Sequence, residues 1–96
     1  MILEIAEITA TPGQADALAA GIARGAMVIR QAEGCQSVQF AQSVEEPQQF
    51  VLLVRWRTIE DHLVTFRNGP LFGQWRQEIA GLFVGQPHVL HYPISD

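Results

Sequence analysis

The stretch 49–57 constrains the fold more than any other part of the chain. Strand alternation puts Phe50, Leu52, Val54 and Trp56 on one face. Val51 and Leu53 fall on the other face, ahead of Arg55 and Arg57. A strand in a half-exposed antiparallel sheet alternates apolar with polar residues, and this one does not alternate at its centre. Both faces therefore need cover, and the helices of one short chain suffice for one of them. The other face calls for a second copy of the chain, packed sheet to sheet as a homodimer.

Size points the same way. A 96-residue chain buries only about 60–65% of its unfolded surface by itself. Yet 48% of its residues are hydrophobic, and a subunit interface is an economical place for the surplus.

The remaining segments define the order of elements. Residues 1–10 read as a strand rich in Ile and Leu, with Glu4 and Glu7 interspersed. Thr11-Pro12-Gly13-Gln14 reads as a helix start, Thr11 capping, Pro12 at the first helical position and Gln14 closing a capping box. Ala15, Leu18, Ala19, Ile22, Ala26 and Ile29 then form one buried stripe. Gly21 and Gly25 weaken that helix by about 1 kcal/mol each relative to Ala unless close packing compensates. Glu33-Gly34 ends it, with Gly34 as a left-handed cap.

A second strand is expected over 35–44, with Val38, Phe40, Gln42 and Val44 on one face, and a turn at 45–48 leads into the third strand. Thr58 with Asp61 caps a second helix whose inward stripe is Ile59, His62, Leu63 and Phe66. Asn68-Gly69 breaks it, and Pro70 opens a short third helix with Leu71, Phe72, Trp75 and Ile79 inward. Residues 85–92 form the last strand, Pro87 placing its beginning at a sheet edge. The order β-α-β-β-α(α)-β is the ferredoxin-like split βαβ arrangement, α+β with an antiparallel sheet, in one domain over 1–96.

Charge and cysteine content exclude several function classes. The net charge is −4, and the six basic residues, all Arg, are scattered without a basic stripe. That argues against nucleic acid and against an anionic membrane surface as partners. The lone Cys35 leaves neither an internal disulfide nor a cysteine metal site. Glu4 and Glu7 interrupt the N-terminal apolar run, so no signal peptide is expected. No apolar stretch approaches the ~18 residues that span a bilayer, and a cytoplasmic protein is the expectation.

Several motifs in this order carry a family resemblance. They are Ile5-Ala6-Glu7-Ile8 followed by Thr11-Pro12-Gly13-Gln14, Glu33-Gly34-Cys35, Phe50-Val51-Leu52-Leu53 ending in Trp56, and Glu60-Asp61-His62 leading to Phe72. Across nearly the whole chain they resemble the antibiotic biosynthesis monooxygenase family of dimeric α+β barrels. The resemblance implies a homodimer of facing sheets and a cavity between sheet and helices in each subunit. Some members oxidise phenols or quinols with dioxygen and no metal or organic cofactor; others degrade haem. The haem-degrading branch needs an Asn where Ala6 stands, a Trp where Phe66 stands and a His at Arg76, or at Trp75 with the alignment shifted by one, which argues against haem. Histidines of quinol-oxidising relatives are replaced here by Thr65 or Phe66 and by Leu71.

The chemistry-bearing candidates follow. His62 lies on an apolar stripe that keeps its imidazole neutral, making it either a base for a phenolic proton or a core histidine satisfied by a carbonyl. Arg67 or Arg76 would hold the resulting oxyanion, or serve as a rim charge. Trp56, Phe66, Phe72 and Trp75 either wall a pocket for a flat ring or form plain core. His88 and His91, three apart in a strand, face opposite ways, so a metal shared with His62 is rejected. His91 and Tyr92 are kept as pocket or dimer-contact residues.

The expectation is a cofactor-independent monooxygenase acting on a small aromatic phenol or hydroquinone. The alternatives are a non-catalytic binding protein for an aromatic metabolite, and a small lyase, cyclase or isomerase on the same barrel. An RNA-binding ferredoxin-like domain is excluded by the acidic charge and the lack of a basic-aromatic strand surface.

Overall fold

Residues 1–95 are described by a computed structural model. The elements run β1 (Ile2–Ala10), α1 (Ala15–Ile29), β2 (Cys35–Gln42), β3 (Gln49–Trp56), a π-helical segment (Asp61–Phe66), α2 (Pro70–Ile79) and β4 (Phe83–Pro93). The four strands form one antiparallel sheet in the order β2-β3-β1-β4. This is the ferredoxin-like topology expected from the element order. None of its helices is long and apolar enough to cross a membrane among the described residues.

The helices cover one face of the sheet. Ala6, Ile8 and Ala10 of β1 and Phe50, Leu52, Val54 and Trp56 of β3 are buried there against Leu18, Ile22 and Ile29 of α1 and Ile79 of α2. The face with Leu3, Ile5, Val51 and Leu53 has no helix over it. The register aligns Ile5 with Leu53 on one side and Leu90 on the other, so an apolar row crosses three strands.

Two glycines let the helices meet. A Cβ on Gly25 would overlap the Trp75 ring, and one on Gly21 would overlap the Glu78 carbonyl. Both are buried, so close packing does offset their poor helix propensity.

Local details depart from the sequence reading at the element ends. Thr11 does not cap α1: Gln14 N–H donates to Thr11 O at 2.9 Å, and Gly13 has φ +81°. Pro followed by Gly suits the two central positions of such a turn, so the helix starts only at Ala15. At its other end α1 stops at Ile29, and Gly34 (φ +82°) belongs to a separate turn closed by Cys35 N–H to Ala32 O, 3.1 Å. Val44 lies beyond β2 and is exposed.

Leu63 points outward, whereas Asp61, His62 and Phe66 are buried. The cause is the π-helical turn, in which Arg67 N–H reaches back to His62 O, a five-residue step. β4 begins earlier than expected, and Pro87 sits in a bulge of that edge strand: the register jumps from Glu7–His88 to Thr9–Val84, leaving residues 85–87 opposite Ile8.

Candidate functional site

Thr58 and Asp61 form the reciprocal cap expected of them. Asp61 N–H donates to Thr58 Oγ1 (3.2 Å) and Thr58 N–H to Asp61 Oδ2 (3.3 Å). Arg57 adds a bidentate contact to Asp61, 3.0 Å to each oxygen, and holds its carboxyl below the usual range. Gly34 leaves the space that this carboxylate fills. The junction between β3 and the π-helical segment is thus clamped, and the next residue, His62, is turned under the sheet.

There His62 meets Glu4. Strand alternation in β1 points Glu4 inward with Ala6 and Ile8, and its side chain is buried. Trp56 Nε1–H donates to Glu4 Oε1 at 2.9 Å. His62 stacks on the Trp56 ring, centroids 5.0 Å apart and planes 13° from parallel. Its Nε2 lies 3.4 Å from the same Glu4 oxygen, and its Nδ1 is hydrogen-bonded to His91 Nε2 at 2.8 Å. A tautomer with the proton on Nε2 directs its N–H at the carboxylate and leaves Nδ1 to accept from His91.

Burial dominates the electrostatics. It raises the Glu4 carboxyl to about 6, against the lowering effects of the Trp56 bond and the Arg67 charge. It lowers His62 to about 3, with Arg67 and then His91 adding to the effect. His91 is lowered by burial and by Arg67. At neutral pH the His62–Glu4 contact is therefore a neutral ring beside a carboxylate, not an ion pair.

These groups stand at a cavity of about 400 Å³ between the sheet and the helical layer. Glu4, Ala6, Ile8 and Leu52 line its sheet side; His62, Phe66, Arg67, Phe72, Trp75 and Arg76 line its helical side; Gln86, Pro87 and Val89 come from β4 and its bulge. Ala6, small and central in β1, leaves room above the sheet. Phe66 and Phe72 pack edge to face, centroids 5.6 Å apart, which stiffens the wall.

The sequence candidates divide accordingly. His62, Phe66, Arg67, Phe72, Trp75 and Arg76 converge on the cavity. Trp56 and His91 do not line it: Trp56 is fully buried under His62, and His91 backs onto the far nitrogen of His62. Tyr92 is half-exposed and pairs with Leu3, on the uncovered face. His88 does point away from His91 and meets Glu7 Oε1 at 3.1 Å near the surface. Sequence reasoning missed Glu4. The signal was there: Glu4 shares the parity of Ala6, Ile8 and Ala10, whereas Glu7 does not.

The family model for antibiotic biosynthesis monooxygenases matches residues 1–78. The chain belongs to that family. The match stops before β4, so His91 and the lining residues Gln86, Pro87 and Val89 lie beyond it. A crystal structure from Bordetella bronchiseptica, provisionally described as an antibiotic biosynthesis monooxygenase, is 35% identical with a TM-score of 0.92, covering 98% of this chain and 96% of that one. Rv0793 from Mycobacterium tuberculosis shares the fold at a TM-score of 0.80 and 23% identity, over 99% of this chain and 95% of that one. YczJ of Bacillus subtilis, an uncharacterised protein, is 28% identical over 69 residues, 72% of this chain and 73% of that one. Membership places the chain among proteins described as monooxygenases.

Proposed function

We propose that this family member is a cofactor-independent monooxygenase that oxidises a small aromatic phenol or hydroquinone with dioxygen in the cavity beside Glu4. The observation that carries the proposal is a buried carboxylate, with a pKa of about 6, in the wall of a cavity that is otherwise largely aromatic and apolar. Such a group is ionised at neutral pH and close enough in basicity to exchange a proton with a bound phenol. His62 is poorly suited to that role, since one ring nitrogen is taken by His91 and the other faces Glu4. The proton acceptor is Glu4. His62 holds the carboxylate in place and links it to half-buried His91, a route by which the proton leaves.

Arg67, whose charge acts on Glu4, His62 and His91 alike, steadies the phenolate. Phe66, Phe72 and Trp75 hold the ring. The phenolate passes an electron to dioxygen, the radical pair joins at a ring carbon, and loss of water from the resulting hydroperoxide leaves a quinone. One phenol and one dioxygen give one quinone and one water, with the substrate as the only reductant. The protein contributes position and exclusion of water.

The working unit in this reading is a homodimer. The apolar row Leu53–Ile5–Leu90 and the neighbouring Leu3 and Tyr92 form a patch of the kind that marks an interface. Facing sheets of two subunits would close the α+β barrel.

Oxygen uptake with a panel of naphthols and hydroquinones tests the chemistry. Glu4→Gln keeps an acceptor for Trp56 but no base, so kcat/KM is expected to fall about 10²–10⁴-fold. Its wild-type rise with pH through about 6 is expected to disappear. Equal rates in the two proteins would remove Glu4 from the mechanism. Ligand-induced stabilisation without turnover would favour the binding-protein reading, and anaerobic turnover a lyase or isomerase.

A further inference from the structure

We infer that the two subunits meet with their sheets reversed end to end, so that Arg55 of each enters an acidic hollow of the other, lined by Glu7 and Glu46. This rests on the facing-sheet homodimer proposed above and fixes its orientation, independently of the chemistry in the cavity.

Arg55 is the arginine that nothing in its own subunit uses. Arg24, Arg30 and Arg57 are bonded to Glu78, the Val38 carbonyl and Asp61, and Arg67 and Arg76 line the cavity. Among the described residues Arg55 makes no ion pair. It is exposed, and strand alternation puts it on the uncovered face, two residues past Leu53.

The same face carries the opposite charge at its other end. A hollow of about 760 Å³ opens there, with Glu7, Gln42, Ser43, Glu46, Gln49 and Val51 in its lining. Val51 stands two residues before Leu53 and pairs with Glu7. The hollow and Arg55 therefore flank the Ile5–Leu53 row on opposite sides, at matching register positions. Glu7 engages His88 through Oε1 at 3.1 Å, and among the described residues no arginine reaches Glu7 or Glu46.

A two-fold dimer is self-complementary, each patch meeting its mate twice. Between aligned, facing sheets the axis runs either along the strands or across them. An axis along the strands keeps every row at its own level. Both Arg55 side chains then share one end of the interface and the carboxylates share the other, so like charges are buried together. An axis across the strands, through the Ile5–Leu53 row, exchanges the ends. The apolar row Leu53–Ile5–Leu90 still meets its copy, and Arg55 falls at the level of the partner's Val51, in the hollow. A guanidinium buried at an interface is costly without a counter-charge, and here it meets the partner's Glu7 and the partner's Glu46. Sign and register together select this second axis.

Reversing the charges tests the orientation. Arg55→Glu sets carboxylates against carboxylates in its own dimer, and a Glu7→Lys, Glu46→Lys double variant sets cations against cations. Sedimentation of either variant alone is expected to show a dimer at least about 100-fold weaker than wild type. Mixed in equal amounts, the two have opposite signs at every such contact, and native mass spectrometry should find one-to-one heterodimers. That recovery also shows both chains folded. Arg55→Gln gives a second reading without any new charge, and its dimer is expected to be about tenfold weaker. Single variants that dimerise like wild type, an unchanged Arg55→Gln, or a mixture that forms no heterodimer would each overturn the inference. A wild type that dimerises but ignores all these changes sinks the orientation alone. A monomeric wild type sinks the facing-sheet dimer with it.

Discussion

Glu4 and His62 touch each other yet respond to pH in opposite directions. Glu4 is raised from 4.5 to about 6 in the folded protein. Its protonation therefore favours folding: the contribution is full below 4.5 and is lost as pH rises through 6. His62 is lowered from 6.5 to about 3. Its contribution is present above 6.5 and is lost as pH falls toward 3, because the unfolded chain takes the proton first. The histidine is displaced further, so wild-type stability is expected to fall between pH 6 and pH 3. Glu4→Gln removes a buried charge and is expected to stabilise the protein by about 2 kcal/mol at pH 8 and by nothing at pH 4. Urea unfolding at pH 8, 6 and 4 reads both effects. A Glu4→Gln variant with the same stability change at every pH would contradict the raised carboxyl.

The helical layer is held by an approach that only glycine permits. Gly25 lies against the six-membered ring of Trp75, and Trp75 is also a cavity wall. Gly25→Ala gains helix propensity but drives a methyl group into the indole, and the net cost is expected to be about 1–3 kcal/mol. Because the strain falls on Trp75, ligand affinity should drop with it. Gly73 is the control: an added Cβ there meets nothing within 4 Å, so Gly73→Ala should stabilise α2 by up to about 1 kcal/mol. Paired urea midpoints check this, and a stabilising Gly25→Ala would refute the close packing. The Thr58–Asp61 cap was legible from spacing alone. The π-helical turn after it was not: the local spacing reads as an ordinary helical stripe of His62, Leu63 and Phe66, and nothing in it marks the five-residue step that turns Leu63 outward.

For the whole molecule, the deciding surface is the uncovered face of the sheet. Ile5 stands at its centre, between Leu53 and Leu90. Ile5→Lys places a charge in the middle of the proposed dimer contact and should shift sedimentation from dimer to monomer at micromolar concentration. Its fold should survive, because Ile5 faces away from the core. A wild-type protein that sediments as a monomer under those conditions would remove the barrel. The double apolar pattern of residues 50–54 was readable in advance because alternation along a strand is a local property. In the proposed dimer the cover of the outer face comes from a second molecule, which no local pattern specifies.

The order of elements, the strand faces, the aromatic wall and the inward turn of His62 are properties of short stretches of sequence, set by periodicity and capping. The site itself was decided by tertiary structure. Glu4, Trp56, His62 and His91 come from three strands and a helical segment, and no local pattern states that they meet. Burial on meeting separates the carboxyl from the imidazole in basicity, and the proposed mechanism uses that separation to make Glu4, rather than His62, the proton acceptor.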